Sequence, residues 1–361
     1  MPMKLNGFNT TDSLSKTQLL MIKACIAKSA SGHSAAVREW EATVVMNEMD
    51  YRCLRLVPFF MHKNKQWGIA TLHDKRLKVI YKYWWLKTQH TFNQLKVVNA
   101  TLLKHGIQPI VIKGASIMSF YVLPELRSMA DFDVLIRPAE IKKALEILKT
   151  IGYEADKAKE PLLFKHFGLI TAFSHSFDFT HSLTGTRLDL HWKFGSLCSK
   201  QFNEKLMQNL ESYSLLPGAL KPSIEYEVFM IIIHAVVNRQ MDNLNWIVDI
   251  ALLNSKENKN FWDKARKLAV LEKKEHLFDY GCYILLQHGV YAPIPCNVNA
   301  KVDILTFTSG VKLPKMKLYA TLFKNLRINI KYRFPDTGFF VKSYQAIRFA
   351  RYRAITKNAR K

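Results

Sequence analysis

Apolar residues recur every three or four positions through the first hundred residues, a spacing that predicts amphipathic helices. The first stretch covers residues 14–30, and Ser31 and Gly32 are expected to break it before a second helix begins near Ala35. A longer amphipathic pattern over 75–105 stops at Gly106, where a glycine suits the end of a helix. We therefore predict a helical region over residues 1–105.

After Gly106 the apolar residues no longer follow the spacing of a helix. Short β-rich runs, separated by predicted turns, follow instead. The predicted elements, in order, are a strand over 109–112, a turn and short helix up to Tyr121, a strand over 131–136, a helix over 138–152 and a hairpin over 172–194. Residues 106–200 are thus predicted to form a small α/β core.

Helical spacing returns beyond residue 200, and the strongest apolar segments cover 226–237 and 246–253. Neither segment is long enough to span a membrane, so no transmembrane helix is expected. We predict a second helical region over 201–311. The fold class is then α+β, with a small mixed sheet between N-terminal and C-terminal helical regions.

The positive charge of the chain is concentrated at its C-terminal end. The formal net charge is +24, and residues 312–361 contribute 14 Lys and Arg against one acid, together with nine aromatic rings. This basic, aromatic-rich segment suits an anionic polymer such as RNA, because cations neutralise phosphates and rings stack on bases. The same composition suits an anionic membrane surface, and a solvated basic tail is an equal alternative.

The cysteines and the N-terminus predict a cytoplasmic protein. The cysteine count is odd and no two are spaced as a CxxC pair, so we expect reduced core thiols and neither disulfides nor a zinc site. Lys4 and Lys23 interrupt the N-terminal apolar pattern, which is unlike that of a signal peptide. The cysteines are Cys25, Cys53, Cys198, Cys282 and Cys296.

Asp131 and Asp133 are the centre of the chemical prediction. Residues i and i+2 of a strand point to the same face, roughly 7 Å apart, and two carboxylates there repel unless a cation lies between them. Asp189, on a later predicted strand, would add a third carboxylate if the strands are neighbours, and three acids can hold two metal ions. The alternatives are solvated strand ends, or an Asp189 that pairs with Arg187 or orients His191.

A predicted turn from strand to helix precedes these acids. Gly114 permits close approach of a ligand to the backbone, and the free N–H groups near Ser116 attract phosphate. Lys113 and Arg127 add positive charge on either side, with surface salt bridges as their alternative role. The unit therefore predicts a phosphate-binding turn beside a metal site.

Three further polar residues interrupt apolar patterns. His234 and Asp249 lie on otherwise apolar helices, where a buried hydrogen-bonded pair is expected and recognition of a base or acceptor is the alternative. Asp178 faces away from the neighbouring phenylalanines and could support the other acids from nearby.

The combination of these motifs resembles the DNA polymerase beta-like nucleotidyltransferase superfamily. More narrowly, it is similar to a family of uncharacterised bacterial nucleotidyltransferases over roughly residues 35–255. The residues that carry the resemblance are Gly-Ala-Ser at 114–116, Asp-Phe-Asp at 131–133 and Asp-Leu-His-Trp at 189–192. Two departures are that Ser116 is one position later than in the usual Gly-Ser turn, and that Gly114 lies 17 residues before Asp131, farther than is usual.

The resemblance implies a metal-dependent transfer of a nucleoside monophosphate from an NTP such as ATP to an acceptor hydroxyl, with release of pyrophosphate. Asp131 and Asp133 would ligate two Mg²⁺ or Mn²⁺ ions, and Asp189 would be a further ligand that helps to deprotonate the acceptor. The nucleotide-binding residues would be Gly114, Ser116, Lys113 and Arg127.

The acceptor stays open between RNA or a tRNA end, a protein and a small molecule, since the fold does not choose among them. The basic C-terminal segment favours RNA slightly. A second hypothesis is a catalytically inactive nucleotidyltransferase-like protein that binds nucleic acid or an anionic membrane, although the three retained acids favour an enzyme. Phosphohydrolysis on the same metals is a third.

Overall fold

The computed structural model describes residues 14–155, 165–195, 198–237, 244–256 and 260–293. Within these ranges the chain forms helices on both sides of one mixed β-sheet, so the predicted α+β class is confirmed. The basic segment over 312–361 and Cys296 lie outside the described residues.

The described part of the predicted N-terminal region, residues 14–105, is mainly helical, and residues 1–13 lie outside the described residues. Its helices are α1 (Lys16–Ile26), α2 (Ala30–Thr43), α3 (Tyr51–Trp67) and α4 (Asp74–Lys104). The expected break at Ser31 and Gly32 is wrong by one turn, because the Ser29 hydroxyl accepts a hydrogen bond from the Gly32 amide and starts α2 earlier. Gly106 follows α4 in the left-handed conformation (φ +73°) that favours glycine.

The central region supplies most of the sheet. It contains β1 (Ile110–Ile112), α5 (Lys113–Ile117), β2 (Asp131–Leu135), α6 (Ile141–Thr150), β3 (Tyr153–Ala155), α7 (Phe167–Phe173), β4 (Ser176–His181) and β5 (Arg187–His191). The predicted hairpin exists as β4 and β5, although residues 172 and 173 belong to α7.

The described residues between 200 and 293 are mainly helical, apart from one pair of short strands. The helices are α8 (Lys200–Met207), α9 (Ile224–Val237), α10 (Asn245–Lys256), α11 (Phe261–Leu271) and α12 (Glu275–Gln287). The two strands are β6 (Leu210–Ser212) and β7 (Leu220–Pro222), which extend the sheet and were not predicted.

The seven-stranded sheet has the order β3-β4-β5-β2-β1-β7-β6. Strands β2 and β5 are parallel neighbours, and Asp133 is directly opposite Asp189. The next strand, β4, is antiparallel to β5 and places Asp178 opposite Asp189. The strands of Asp133 and Asp189 are therefore neighbours, as a shared site of these acids requires.

The two faces of the sheet pack into different cores. Val111, Phe132 and Val134 pack with apolar residues of α4 and α6. Ile112 and Leu135, on the opposite face, join a core that also contains residues of α1 to α3 and α8 to α12. Because side chains alternate along a strand, the acids of β2 share the face of Leu135 and meet the helical layer.

Helix α9 lies close to α12 at Gly281. A Cβ atom on this glycine would overlap the Ile232 side chain and lie 3.2 Å from Cγ2 of Val236. The absence of a side chain at Gly281 thus allows the two helices to approach each other closely.

Four of the five cysteines lie in the described part of the chain. Cys25, Cys53, Cys198 and Cys282 are buried and free, as expected for core thiols. Among the described helices, none combines the length and apolarity that a membrane span requires.

Candidate active site

The carboxylates of two parallel strands meet on one face of the sheet. One ligand atom each of Asp133, Asp189 and His191 lie within 4.8 Å of one another, which is close enough to share a metal ion. Asp133 is nearly buried, whereas Asp131 is exposed at the start of β2, opposite Arg187. Asp131 lies outside this close group but lines the same cleft.

Asp133 Oδ1 has two basic neighbours. Lys113 Nζ donates to it at 2.6 Å, and His191 Nε2 lies 2.9 Å from the same oxygen. Burial alone would raise the pKa of Asp133, but Lys113 and His191 outweigh it and hold the pKa well below its usual range. The alternative that Asp189 orients His191 is wrong, because the two ring nitrogens of His191 contact Asp133 and the Lys193 carbonyl.

Asp189 has the opposite electrostatic environment. Burial, together with the neighbouring carboxylates of Asp133 and Asp178, raises its pKa to about 7. Three adjacent strands thus align acids across one face of the sheet, and a divalent cation would relieve their repulsion. The oxygen-rich donor set fits Mg²⁺ or Mn²⁺.

The turn between β1 and α5 is built around Lys113, which has a left-handed backbone (φ 55°) that is uncommon outside glycine. Ser116 is buried, and its hydroxyl donates to the Lys113 carbonyl at 2.7 Å. An ideal Cβ on Gly114 would lie 2.6 Å from Arg127 Nη1. The glycine at position 114 therefore allows the Arg127 guanidinium to lie close to the backbone.

Arg127 forms a buried ion pair with Asp249 of α10. Its Nε and Nη2 donate to the two carboxylate oxygens at 3.0 and 2.8 Å, and the Tyr121 hydroxyl donates to Oδ1 at 2.8 Å. Burial would lower the pKa of Arg127, but Asp249 outweighs it and raises the pKa. The expected His234–Asp249 pair is wrong, since Asp249 binds Arg127 and Tyr121.

A cleft of about 610 Å³ lies between the acidic face of the sheet and helices α3, α9 and α10. Six of the seven site residues predicted from the sequence line it, and Ser116 is the exception. The six are Lys113, Gly114, Arg127, Asp131, Asp133 and Asp189. The nucleotide-binding and catalytic roles of all seven stay predictions.

The cleft also has residues that the sequence did not single out. Arg55 of α3 donates through Nη2 to the Ser128 carbonyl at 3.2 Å, and its buried Nε has no acceptor among the described residues. Burial, and then the nearby Arg127, lowers the pKa of Arg55. In the sequence, Arg55 stands out as a cation at a partly buried position of a helix. That helix lies far along the chain from the motifs of the predicted site, so the sequence does not connect Arg55 with them.

Helix α9 contributes two buried titratable groups to the cleft. Neither carboxyl oxygen of Glu227 has a hydrogen-bond partner among the described residues, and burial raises its pKa to about 8. Burial, and then Lys113, lowers the pKa of His234 to about 4. In the sequence, Glu227 is visible as an acid within the apolar run over 226–237.

Acids aligned on neighbouring strands beside a strand–turn–helix unit are the features of a nucleotidyltransferase. The model of a family described as uncharacterised nucleotidyltransferase matches residues 52–286. That match covers well over half of the chain and includes the sheet and every predicted site residue, so the chain belongs to this family. A comparison with curated proteins gives no match.

Proposed function

We propose that this nucleotidyltransferase is an active enzyme that transfers a nucleoside monophosphate from an NTP to an acceptor hydroxyl. The observation that carries the proposal is the pairing of Asp133 with Asp189 on parallel strands, with His191 beside them, in a cleft large enough for a nucleotide. The four free, buried cysteines support a cytoplasmic location.

In the proposed reaction, the acceptor oxygen forms a bond to the α-phosphorus of the NTP. The bond from that phosphorus to the bridging oxygen breaks, and pyrophosphate leaves with the electron pair. The hydroxyl proton would pass to Asp189, a carboxylate that lines the cleft on the strand next to Asp133. Two Mg²⁺ or Mn²⁺ ions held by Asp131, Asp133 and Asp189 would, when bound, neutralise the triphosphate and acidify the acceptor hydroxyl.

The proposed nucleotide contacts lie on the other side of the acids. Lys113, now 2.6 Å from Asp133, would turn its ammonium to the triphosphate, and Gly114 would offer its backbone. Arg127 would bind through Nη1, the nitrogen that does not contact Asp249. Ser116 would have to release the Lys113 carbonyl in order to reach a phosphate.

The test is transfer of label from each α-³²P-labelled NTP, with Mg²⁺ or Mn²⁺, to RNA, protein or small molecules of a cell lysate. We expect Asp133→Asn and Asp189→Asn to lower transfer at least about 100-fold, because each removes charge that the transition state requires. Asp263→Asn, an exposed acid on α11, is the matched control and should keep wild-type activity.

Label that persists in Asp133→Asn and Asp189→Asn would contradict the proposal. Release of labelled NMP to water alone would instead identify a phosphohydrolase. Absence of label with every acceptor fraction, together with absence of metal-dependent NTP binding, would favour the non-catalytic binding hypothesis.

A further inference from the structure

Helix α4 has an unusual outer face. Its 31 residues include seven Lys and Arg and a single acid, Asp74. Large apolar side chains stand exposed among these cations, at Val79, Tyr83 and Leu86. Exposed apolar groups that cluster together on a helix often mark a binding surface.

A run of aromatic rings connects this face to the cleft. Tyr51, at the start of α3, lines the cleft and is 52% exposed. Its ring centroid is 5.6 Å from that of the buried Trp84, which is 5.5 Å from that of Tyr83. Tyr83 is 54% exposed on the outer face of α4. Two accessible rings thus flank a buried one.

Cations accompany the rings along the same path. The Arg55 guanidinium carbon lies 5.6 Å from the Trp84 ring centroid, and Lys87 Nζ lies 5.5 and 5.8 Å from the centroids of Trp84 and Tyr83. Arg55 forms no ion pair with a carboxylate of the described ranges, and its Nε has no acceptor there. The positive charge of Arg55, at the cleft end of the path, is therefore available to pair with an anionic group of a ligand.

Exposed rings interleaved with cations are the features of surfaces that bind single-stranded nucleic acid, where bases stack and phosphates are neutralised. We propose that Tyr51, Arg55, Tyr83 and Lys87 form a track that binds a single-stranded polynucleotide and presents its terminal hydroxyl to the cleft as the acceptor. The acceptor role rests on the proposed nucleotidyl transfer, whereas the binding itself does not. An anionic bilayer fits less well, because the track leads into a cleft that a bilayer cannot enter.

The test uses the full chain and a fluorescein-labelled 12-nucleotide single-stranded RNA, with the same sequence as DNA, a duplex RNA, and vesicles of phosphatidylserine and phosphatidylcholine. The variant Tyr83→Ala/Lys87→Ala removes the outer half of the track. Lys96→Ala/Val97→Ala is the matched control, because it removes one cation and one exposed apolar side chain from the same helix. Both variants keep the basic C-terminal segment and all predicted site residues.

We expect Tyr83→Ala/Lys87→Ala to weaken binding of the single strand roughly 10- to 100-fold, the loss typical of one stacked base and one phosphate contact. The control should change it less than 3-fold, and NTP binding should be unchanged in both. Label transfer to RNA should fall with binding. The RNA and DNA arms decide which sugar the track accepts.

Equal binding by the two double variants would overturn the proposal, as would tighter binding of vesicles or duplex than of either single strand. Label that appears only on protein or small molecules would overturn the acceptor role. Loss of single-strand binding in Tyr83→Ala/Lys87→Ala, combined with a wild-type protein that transfers no label, would support the track and contradict the proposed catalysis. The two failures are thus distinguishable.

Discussion

Lys113 combines an unfavourable backbone with a favourable side-chain contact. A non-glycine residue in the left-handed region costs about 1 kcal/mol. The same backbone turn brings Lys113 Nζ to 2.6 Å from Asp133, where the ammonium offsets the buried negative charge. A glycine at this position would remove the strain but would also remove the cation, so the lysine is better explained by the site than by the turn.

Glu227 should make stability fall with rising pH. The unfolded carboxyl releases its proton near its ordinary pKa of 4.5, whereas burial keeps the folded group protonated up to about pH 8. Between these values the unfolded state binds about one proton fewer, so the free energy of unfolding decreases by about 1.4 kcal/mol per pH unit. Glu227→Gln cannot ionise, and its stability should vary less over this range.

Urea denaturation of the wild type and Glu227→Gln at pH 5, 6, 7 and 8 measures this slope. Glu154→Gln on β3 replaces an exposed glutamate and should keep the wild-type slope. If the free energy of unfolding changes with pH by the same amount in the wild type and in Glu227→Gln, Glu227 is ionised in the folded protein and the prediction is wrong.

At the residue scale, the sequence was informative where the chemistry is local. The i and i+2 spacing pointed to Asp133, and the position of Asp189 on a later predicted strand pointed to a third carboxylate beside it. The partner of His191 could not be predicted, because the register of β2 against β5 decides that its ring meets Asp133 and not Asp189. Arg55 was missed for the same reason, since only the packing of α3 brings it to the cleft.

At the scale of elements, the Arg127–Asp249 pair joins the loop before β2 to helix α10. Removing one partner of a buried pair leaves the other charge uncompensated, so Asp249→Asn should lower the free energy of unfolding by about 3 kcal/mol. The freed guanidinium should also shift against Gly114 and reduce transfer activity.

Chemical denaturation measures this loss. Asp279→Asn removes the partner of the more exposed Arg266 and should cost below about 1 kcal/mol. Similar losses for the two variants would mean that the Arg127–Asp249 pair contributes no more to stability than a surface ion pair.

Elements with a long hydrophobic period were predicted well, whereas some of the shortest elements were missed. The pattern over 75–105 matches α4 within a residue at each end, because eight turns repeat the same signal. Strands β6 and β7 have three residues each, too few for an alternation to be visible. The start of α2 was misplaced because the Ser29 cap was not recognised, and Gly32 was given the weight of a break.

Over the whole molecule, the N-terminal and C-terminal helices share one apolar core with the acidic face of the sheet. Trp40 of α2, Phe229 of α9 and Trp262 of α11 belong to it, together with Ile112 of β1. Helices that are far apart along the sequence thus pack into the same apolar core.

We therefore expect helices α1 to α3 and α8 to α12 to unfold together. Native-state hydrogen exchange should give the slowest amides of α2 and α11 equal free energies of opening within about 1 kcal/mol. An N-terminal region that opens at several kcal/mol lower free energy, while α11 stays protected, would show that the helical regions are independent.

The contact at Gly281 has a consequence for how this protein can diverge. Residues of α9 form one wall of the cleft, yet the position of that helix depends on a glycine in α12 that does not line the cleft. A side chain at this position would overlap Ile232, and we expect the resulting shift of α9 to move Glu227 and His234 as well. Substrate range can therefore change through a mutation remote from every chemical group of the cleft, and a search for variants with new acceptors would do well to randomise position 281.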